Sequence, residues 1–352
     1  MTFSHPAYDA HEQVLFCHDR ETGLRAIIAV HNRNLGPALG GCRMYPYASD
    51  EAALRDVLRL SRGMSYKAAV TGLPLGGGKS VILGDPATQK SPALMRAMGR
   101  FVDSLGGRYI AAEDSGTSVA DVQAMAGETA HVSGVRERDT DDGRPRDGDP
   151  SPYTARGVFA GIRAAVAHRH GGDSLDGVTV ALQGLGNVGR SLAAMLHEAG
   201  ARLVVSDPSE ARLAEARERF GAEVVALDAI VGARADVFAP CAMGAVLDDA
   251  SIPTLQASIV AGAANNQLES AHHAAALAAR DVLYAPDYVI NAGGLIDVYH
   301  ELYPVPYAEE MARIDAIGTT LTTIFARADA EQATTAAIAD RLAEERMALP
   351  AA

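Results

Sequence analysis

A glycine-rich turn between an apolar strand and a helix constrains the fold of this chain more than any other feature. The turn spans residues 184–189 and follows the β-branched apolar run at 178–183. A helical pattern at 190–198 comes next, and a second apolar run at 203–205 leads to Asp207. This order of strand, glycine turn, helix, strand and acid is typical of a dinucleotide-binding βαβ unit.

The residues of the turn match what a bound dinucleotide requires. Gly184 permits the tight turn, Gly186 lets the backbone approach the pyrophosphate, and Gly189 lets the helix pack closely on the strand. Asn187 and Val188 lie between these glycines and are also predicted to contact the cofactor.

Asp207 predicts which cofactor is bound. A carboxylate at the end of the second strand accepts a hydrogen bond from the ribose 2′-hydroxyl and repels a 2′-phosphate. Pro208-Ser209 brings no arginine that would offset this repulsion. The sequence therefore predicts NAD in preference to NADP.

Length and composition limit the remaining possibilities. With 352 residues, and roughly 150 residues per domain, the chain is expected to form two domains. A net charge of −13 argues against nucleic acid or an anionic membrane as a partner, and no apolar run is long enough to span a bilayer. Cys17, Cys42 and Cys241 show neither metal-ligand spacing nor a disulfide framework, and His272-His273 is expected to be solvated. We therefore expect a reduced cytoplasmic protein without a metal site.

The chain is predicted to divide at 136–152, where charged residues, glycine and proline crowd together and apolar periodicity is lost. Beyond this segment, short apolar runs alternate with helical patterns. The runs lie near 178–183, 202–206, 223–226, 236–239, 258–262 and 282–285. Six strands with intervening helices predict an α/β fold of the Rossmann type, with a doubly wound parallel sheet.

The first part of the chain predicts a second α/β domain, which carries the substrate chemistry. Its patterns indicate strands at 26–30, 81–83 and 109–111, and helices that begin at Ser49 and at Ser91. The predicted domains are a substrate-binding, catalytic and oligomerisation domain over 1–140 and an NAD-binding domain over 141–325. A C-terminal helix within 326–352 is expected to pack back on the first domain, and the active site is expected in the cleft between the domains.

Two lysines of the first part are candidates for catalysis. Lys67 ends the predicted helix from Ser49, and Lys79 follows three glycines that let the backbone pass close to a ligand. Two ammonium groups in one small pocket would disfavour the charged form of at least one, which suits a general base. The alternative is that both are ordinary surface lysines. A phosphate-binding loop at residues 78–80 is the disfavoured alternative, because that motif needs a glycine where Leu73 stands.

Polar residues that follow predicted strands are further candidates. Asp114 is placed to shuttle protons beside an uncharged lysine. The alternative is that the segment around Asp114 only caps the helix that follows, for which Thr117 and Ser118 are equally good N-caps. Asn265 and Asn291 are placed to bond the cofactor, with a turn closed by the asparagine side chain as the alternative.

These segments together resemble the amino-acid dehydrogenase family of glutamate, leucine, phenylalanine and valine dehydrogenases, over nearly the whole chain. The glycine-rich lysine region at 73–80 carries the resemblance most strongly. The other matching segments are 39–43, 63–67, 238–242, 262–266 and 284–294. The length and the short C-terminus are similar to the leucine, valine and phenylalanine branch.

The resemblance implies reversible oxidative deamination of an L-amino acid to its 2-oxo acid and ammonium, with NAD⁺ as hydride acceptor. It implies that Lys67 binds the substrate carboxylate, with Gly40 and Gly41 beside it. It implies that Lys79 activates water and that Asp114 shuttles protons.

The resemblance also implies contacts in the second domain and an assembly. Thr154 and Asn265 fall near the nicotinamide, and Asn291 falls near the substrate. A homo-oligomer, either a dimer or an octamer, is expected.

The positions that match the family's side-chain selectors are all apolar. They are Leu39, Met64, Ala112, Leu295 and Val298. Such a pocket rejects a dicarboxylate such as glutamate, because the second carboxylate would lose its hydration. Leucine, valine or isoleucine is the predicted substrate, and an aromatic amino acid such as phenylalanine or tryptophan is the alternative. The alternative from another class is a non-catalytic nucleotide-binding sensor or structural subunit, against which the two lysines and Asp114 argue.

Three features depart from the pattern of this branch. The loop at 136–149 is longer and more charged than usual, and Tyr153 stands where a small or aliphatic residue is more common. Cys42 replaces the usual threonine or alanine. The roles of the loop and of Tyr153 are not predicted.

Overall fold

The computed structural model describes residues 2–135, 138–139, 145–146, 149–242 and 244–348. The chain forms two compact units. The first comprises Met1–Asp149, Val298–Pro306 and Ala343–Ala352, and the second comprises Pro150–Asp297 and Tyr307–Leu342. The boundaries at 140 and 325 stay a prediction. Most of the charged loop at 136–149 lies outside the described residues.

The first unit is built on a five-stranded mixed sheet with the order β1-β2-β4-β3-β5. The strands are β1 (Gln13–Asp19), β2 (Leu24–Asn32), β3 (Ala38–Tyr45), β4 (Gly76–Leu83) and β5 (Tyr109–Glu113). Strand β2 pairs antiparallel with β1 and β4, whereas β3 pairs parallel with β4 and β5. The helices are α1 (Asp50–Thr71), α2 (Pro92–Asp103) and α3 (Val119–Ala126), after a short 3₁₀ turn at Thr2–Ser4.

Helices cover both faces of this sheet, which the apolar pattern of β2 explains. Ala26, Ile28 and Val30 pack into one core cluster together with residues of α2 and α3. Ile27 and Ala29 point to the opposite face and pack against α1. Successive side chains of a strand point to opposite faces, so a continuous apolar run indicates a strand buried on both sides.

Helix α1 begins as its sequence predicts and ends later. The Ser49 side chain accepts a hydrogen bond from the Ala52 N–H, and Asp50 and Glu51 lie in the first turn, where carboxylates are favourable. The helix continues past Lys67 to Thr71, so the prediction that Lys67 ends it was wrong. No capping residue follows Lys67, and the left-handed Gly72 ends the helix instead.

The second unit contains a six-stranded parallel sheet with the order β10-β9-β8-β11-β12-β13. The strands are β8 (Thr179–Gln183), β9 (Arg202–Ser206), β10 (Glu223–Val224), β11 (Val237–Pro240), β12 (Ile259–Val260) and β13 (Leu283–Tyr284). Two-residue strands β6 (Arg138–Asp139) and β7 (Pro145–Arg146) precede them and pair with each other. All six predicted strands are confirmed, and the strand order is that of a doubly wound nucleotide-binding sheet.

Helices connect the strands of this second sheet and complete the chain. They are α4 (Ser151–His170), α5 (Asn187–Glu198), α6 (Glu210–Phe220), α7 (His272–Ala279), α8 (Asp287–Ile290), α9 (Gly293–Leu302), α10 (Tyr307–Glu331) and α11 (Thr335–Met347), with a 3₁₀ turn at Ile252–Thr254. Within the described part of the chain, none of the helices is apolar over enough length to cross a bilayer.

Candidate active site

A buried ion pair between Lys79 and Asp114 forms the centre of the candidate site in the first unit. The Lys79 ammonium donates to Oδ2 of Asp114. Only 6% of the Lys79 side chain and 17% of the Asp114 side chain are exposed. Lys79 lies within β4, and Asp114 directly follows β5. The three glycines before Lys79 therefore belong to a strand rather than to a loop.

The sheet brings these two residues together across Gly41 of the intervening strand β3. Cys42 pairs with Ser80, so Lys79 lies beside Gly41, and Gly41 itself pairs with Ala112. A Cβ at Gly41 would lie 2.7 Å from both Cβ and Oδ2 of Asp114. The absence of a side chain there is what lets the carboxylate reach the lysine.

The apolar residues predicted around this centre lie on the same strands. Leu39 of β3 and Ala112 of β5 are both buried, with Ala112 paired to Gly41. A Cβ at Gly40 would lie 3.4 Å from Cγ of Met64 on α1. Leu39, Met64 and Ala112 thus lie next to the two glycines, and their role in a substrate pocket stays a prediction.

Helix α1 presents Lys67 one turn beyond Met64. Residues three apart on a helix are neighbours on its surface, so both side chains extend from one face of α1. Lys67 is half-buried. A Cβ at Gly77 would lie 2.0 Å from the backbone nitrogen of Ser65, so α1 packs directly on β4 at this level.

Asp114 is held in its ionised form. Burial alone favours the protonated carboxyl, but the charges of Lys79 and Arg43 outweigh that effect and hold the pKa of Asp114 well below its ordinary value. The Ser115 N–H adds a hydrogen bond of 2.6 Å to Oδ1. A carboxylate held in this way next to a buried lysine is suited to accept and return a proton at short range.

Arg43 is a component of the site that no sequence pattern indicates as functional. Its Nε donates to Oδ1 of Asp114 at 3.2 Å, and its Nη1 donates to Oδ2 of Asp56 at 3.0 Å. The Tyr47 hydroxyl donates to the same Asp56 oxygen at 2.5 Å. These contacts join β3, α1 and the loop after β5, and only the tertiary structure reveals them.

The loop after β5 has its own internal hydrogen bonds. The Thr117 hydroxyl accepts from the Asp114 N–H at 3.0 Å and donates to the Cys42 carbonyl at 2.8 Å. Ser118, and not Thr117, is the N-cap of α3, in a reciprocal pair with Asp121. The alternative that Asp114 serves only a helix start is therefore wrong, because a different residue caps that helix.

The glycine turn of the second unit has the geometry of a nucleotide site. Gly184 has a φ of +93°, and a Cβ at Gly189 would lie 2.0 Å from the Gly184 carbonyl oxygen. A Cβ at Gly186 would have no described atom within 4 Å. Helix α5 begins at Asn187, and no side chain among the described residues caps it. Its first N–H groups, which include that of Val188, therefore fit a phosphate.

Asp207 follows β9 and connects it to the glycine turn. Its Oδ2 accepts from the Leu185 N–H at 2.7 Å, and its Oδ1 accepts from the Ser209 N–H at 2.8 Å. Arg212 brings its Nη1 to 3.6 Å from Oδ2. Pro208-Ser209 brings no arginine, but the first turn of α6 carries Arg212 back towards the strand end.

Three more predicted residues lie together in the second unit. Nδ2 of Asn291 donates to Oδ1 of Asn265 at 2.7 Å and to the Ala263 carbonyl at 3.0 Å. The buried Oδ1 of Asn291 finds no hydrogen-bond partner among the described residues. A Cβ at Gly294 would lie 2.6 Å from Oγ1 of Thr154. A buried acceptor without a partner is the feature expected where a ligand supplies the missing donor.

Leu295 and Val298 lie three residues apart on α9 and therefore share one face of it. Leu295 is buried and belongs to the second unit, whereas Val298 is half-buried and belongs to the first. The Val298 carbonyl accepts from the Ser133 hydroxyl at 2.9 Å. Tyr153, whose role was not predicted, places its carbonyl 2.1 Å from where a Cβ at Gly293 would lie.

Of the two histidines of α7 predicted to be solvated, His272 is exposed and His273 is not. His273 is fully buried, and its Nε2 lies 3.1 Å from Oδ1 of Asp249. Nδ1 of His273 accepts from the Ser270 N–H at 3.1 Å, so Nε2 of the neutral ring carries the proton. A protonated nitrogen donates to a carboxylate and does not ligate a metal. Asp249 thus contacts both histidines at the start of α7.

Comparison with known proteins gives matches over both units. Residues 11–131 match the family model of the Glu/Leu/Phe/Val dehydrogenase dimerisation domain. Residues 149–216 and 205–305 match the model of glutamate/leucine/phenylalanine/valine dehydrogenase. The chain is 49% identical over 340 residues to leucine dehydrogenase of Geobacillus stearothermophilus, covering 97% of this chain and 91% of that protein.

Solved structures agree with these matches. The crystal structure of L-tryptophan dehydrogenase from Nostoc punctiforme superimposes with a TM-score of 0.84 at 47% sequence identity, covering 96% of each chain. The hetero-hexameric glutamate dehydrogenase from Thermus thermophilus, in its Leu-bound form, gives a TM-score of 0.72 at 25% identity, covering 95% of this chain and 87% of that one.

Proposed function

Because the chain belongs to the Glu/Leu/Phe/Val dehydrogenase family, we propose that it catalyses the reversible NAD-dependent oxidative deamination of an apolar L-amino acid. The products are the 2-oxo acid and ammonium. The observation that carries this proposal is the Lys79–Asp114 pair, which forms across the side-chain-free position of Gly41. A catalytic pair of this kind argues against a non-catalytic nucleotide-binding sensor.

The residues of the first unit divide the chemistry among them. Lys67 binds the substrate carboxylate, with Gly40 and Gly41 beside it. Lys79 activates the water that adds to the Cα carbon once that carbon has been oxidised. Asp114 exchanges protons with Lys79 as ammonia leaves.

The second unit holds the cofactor. Gly184, Gly186 and Gly189 provide the turn, and the helix that starts at Asn187 and Val188 binds the pyrophosphate. When bound there, NAD would supply the group that takes up the hydride from the substrate. The free Oδ1 of Asn291 takes a donor from the substrate, and Thr154 and Asn265 contact the nicotinamide.

We propose NAD as the preferred cofactor. The Asp207 carboxylate is 3% exposed, and a 2′-phosphate beside it would meet a negative charge that is poorly screened by water. Arg212 reduces this repulsion without removing it, because its guanidinium reaches only one carboxylate oxygen, at 3.6 Å. Direct titration of the protein with NADH and NADPH tests this, and tighter binding of NADPH would overturn it.

Branched aliphatic amino acids are the proposed substrates. Leu39, Met64, Ala112, Leu295 and Val298 present no charge to a substrate side chain, so glutamate is excluded by the cost of burying its second carboxylate. The aromatic alternative rests on the similarity to L-tryptophan dehydrogenase, because a methylene or two in an apolar pocket changes selectivity by only about 1–3 kcal/mol.

We also propose a homo-oligomer, dimer or octamer, in the cytoplasm. The match of residues 11–131 to a dimerisation-domain model supports self-association, and a glutamate dehydrogenase of related fold is a hetero-hexamer. Light scattering coupled to size-exclusion chromatography measures the subunit number, and a strictly monomeric active enzyme would contradict the proposal.

Replacing Lys79 by Ala tests the catalytic assignment. Turnover should be lost while NADH affinity, measured by fluorescence titration, stays near that of the wild type. The reason is that Lys79 belongs to the first unit and the glycine turn belongs to the second. Turnover within a few-fold of the wild type would rule out Lys79 as the catalytic lysine.

Replacing Lys67 by Ala should instead mainly raise KM for the amino acid. A carboxylate anchor contributes to ground state and transition state alike, so its loss leaves kcat less affected. A panel of leucine, valine, isoleucine, phenylalanine and tryptophan, followed through NADH absorbance, assigns the substrate.

A further inference from the structure

The two oxygens of the Asp114 carboxylate have separate partners. Oδ2 faces Lys79, whereas Oδ1 accepts from Nε of Arg43 at 3.2 Å and from the Ser115 N–H at 2.6 Å. A carboxylate can turn about its Cβ–Cγ bond, and that torsion is broad when nothing holds it. Here the contacts to Oδ1 keep Oδ2 directed at the lysine.

Arg43 is itself held from its other side. Its Nη1 donates to Oδ2 of Asp56 on α1, and the Tyr47 hydroxyl donates to the same oxygen. The Arg43 side chain is 25% exposed, so water screens these contacts only in part. The planar guanidinium thus bridges two carboxylates in a fixed geometry that a single ammonium group cannot reproduce.

We propose that Arg43 is a positioning residue for the reaction. It directs the Asp114 carboxylate at Lys79, and its positive charge sets the pH at which the Lys79–Asp114 pair gives up its proton. Asp56 and Tyr47 hold Arg43 in place. This inference rests on the proposed roles of Lys79 and Asp114.

Further titratable groups near Asp114 lie on β3 and β5, and the half-buried Lys67 lies on α1. Glu113 precedes Asp114, and burial together with the nearby carboxylates of Asp149 and Asp114 raises the pKa of Glu113. Tyr109 lies on β5 and Cys42 lies on β3. Burial and the negative charge of Asp114 raise the pKa of both side chains. The charges of Lys79 and Arg43 both favour the ionised form of Asp114.

Replacing Arg43 by Met tests the charge. A nearby cation makes a proton easier to remove, so its loss makes the Lys79–Asp114 pair retain its proton to higher pH. The deamination rate should rise with pH as the Lys79–Asp114 pair loses its proton, and in Arg43→Met this rise should move to higher pH. The kcat at the new optimum should fall about 10²-fold, because the carboxylate is no longer directed. KM for the amino acid and NADH affinity should change little.

Replacing Arg43 by Lys separates the charge from the geometry. The lysine keeps the positive charge, so the alkaline rise should stay at the wild-type pH. It cannot bridge Asp114 and Asp56 as the guanidinium does, so kcat should still fall. Asp56→Asn should lower kcat less than Arg43→Met, since it loosens the arginine without removing its charge.

Arg100→Met is the matched control. Arg100 also bridges two carboxylates, those of Asp19 and Glu128, but it lies on α2 away from Lys79 and Asp114. Its loss should leave kcat and the pH profile unchanged. A pH profile of Arg43→Met that coincides with the wild type would overturn the proposal, whatever happens to kcat. If Arg43→Met does not fold, the kcat of Arg43→Lys and Asp56→Asn decides, and wild-type turnover in both overturns the proposal.

Asp114→Asn distinguishes this failure from failure of the proposed function. If Asp114→Asn turns over like the wild type, the catalytic role of Asp114 is wrong and the role of Arg43 falls with it. If Asp114→Asn is inactive while Arg43→Met behaves as the wild type, the proposed function stands and only the inference about Arg43 is overturned.

Discussion

Replacing Gly41 by Ala should inactivate the site with a single added methyl group. In the structure, the new Cβ would lie 2.7 Å from Cβ of Asp114, 2.7 Å from its Oδ2 and 2.8 Å from the Glu113 carbonyl oxygen. Carbon atoms in contact normally lie about 3.5–4.0 Å apart. The Asp114 carboxylate must therefore move away from Lys79 by about 0.8 Å or more.

The size of the expected effect follows from this displacement. A misplacement of about 1 Å in a catalytic group costs about 10²-fold in rate, which corresponds to about 2.7 kcal/mol in the activation barrier. Overpacking should also destabilise the first unit by about 1–3 kcal/mol. Rotation of the Asp114 side chain cannot relieve the whole clash, because one of the three close atoms belongs to the backbone of Glu113.

Steady-state kinetics at saturating cofactor, together with NADH titration and thermal unfolding, measure the effect. We expect kcat to fall about 10²-fold with NADH affinity unchanged. Gly172→Ala is the matched control, because a Cβ there meets no described atom within 4 Å and the residue is exposed. A folded Gly41→Ala enzyme with wild-type kcat would refute the view that the Lys79–Asp114 contact is needed for turnover.

Two further predictions concern the pocket and the response to acid. Replacing Leu295 by Ala should shift the ratio of kcat/KM values for phenylalanine and leucine by about tenfold towards phenylalanine. The reason is that each lost methylene contact contributes about 1 kcal/mol. An unchanged ratio would show that Leu295 does not line the pocket. Burial, together with the neighbouring His11, lowers the pKa of His31 to about 4. Between this folded-state pKa and the unfolded-state pKa of 6.5, the unfolded chain binds more protons than the folded chain. The stability that is present at neutral pH is therefore lost as the pH falls. The free energy of unfolding should drop by about 3 kcal/mol from pH 7 to pH 4, and His31→Gln should flatten this loss in urea unfolding followed by circular dichroism. If the free energy of unfolding falls equally steeply with pH in the wild type and in His31→Gln, another group causes the acid sensitivity.

The sequence by itself determined the nucleotide-binding unit, because the signals of a βαβ fold are local. The apolar run of β8, the glycine turn and the start of α5 are contiguous in the chain, and each follows from the conformational limits of its own residues. The six predicted strands of the parallel sheet recur in the structure for the same reason. A buried parallel strand needs a continuous apolar run, and such a run is visible without any knowledge of its neighbours.

Two strands of the first unit escaped prediction because tertiary pairing outweighs their local preference. Strand β3 contains Gly40 and Gly41, which lower strand propensity, yet it lies between β4 and β5 and pairs with both. Strand β1 lies at the edge of the sheet and leaves Phe16 59% exposed, so its apolar pattern is incomplete. Neither strand is specified by its own residues alone.

The candidate site divides in the same way between sequence and tertiary structure. Lys79 and Asp114 could be named from the motifs around them, but their contact depends on the order in which β4, β3 and β5 lie side by side. Arg43 meets Asp114 only because β3 runs beside β5, so no spacing along the chain indicates the pair. Local sequence specifies which chemical groups are present, whereas the sheet register decides which of them touch, since the pairing of distant segments depends on the packing of the whole unit.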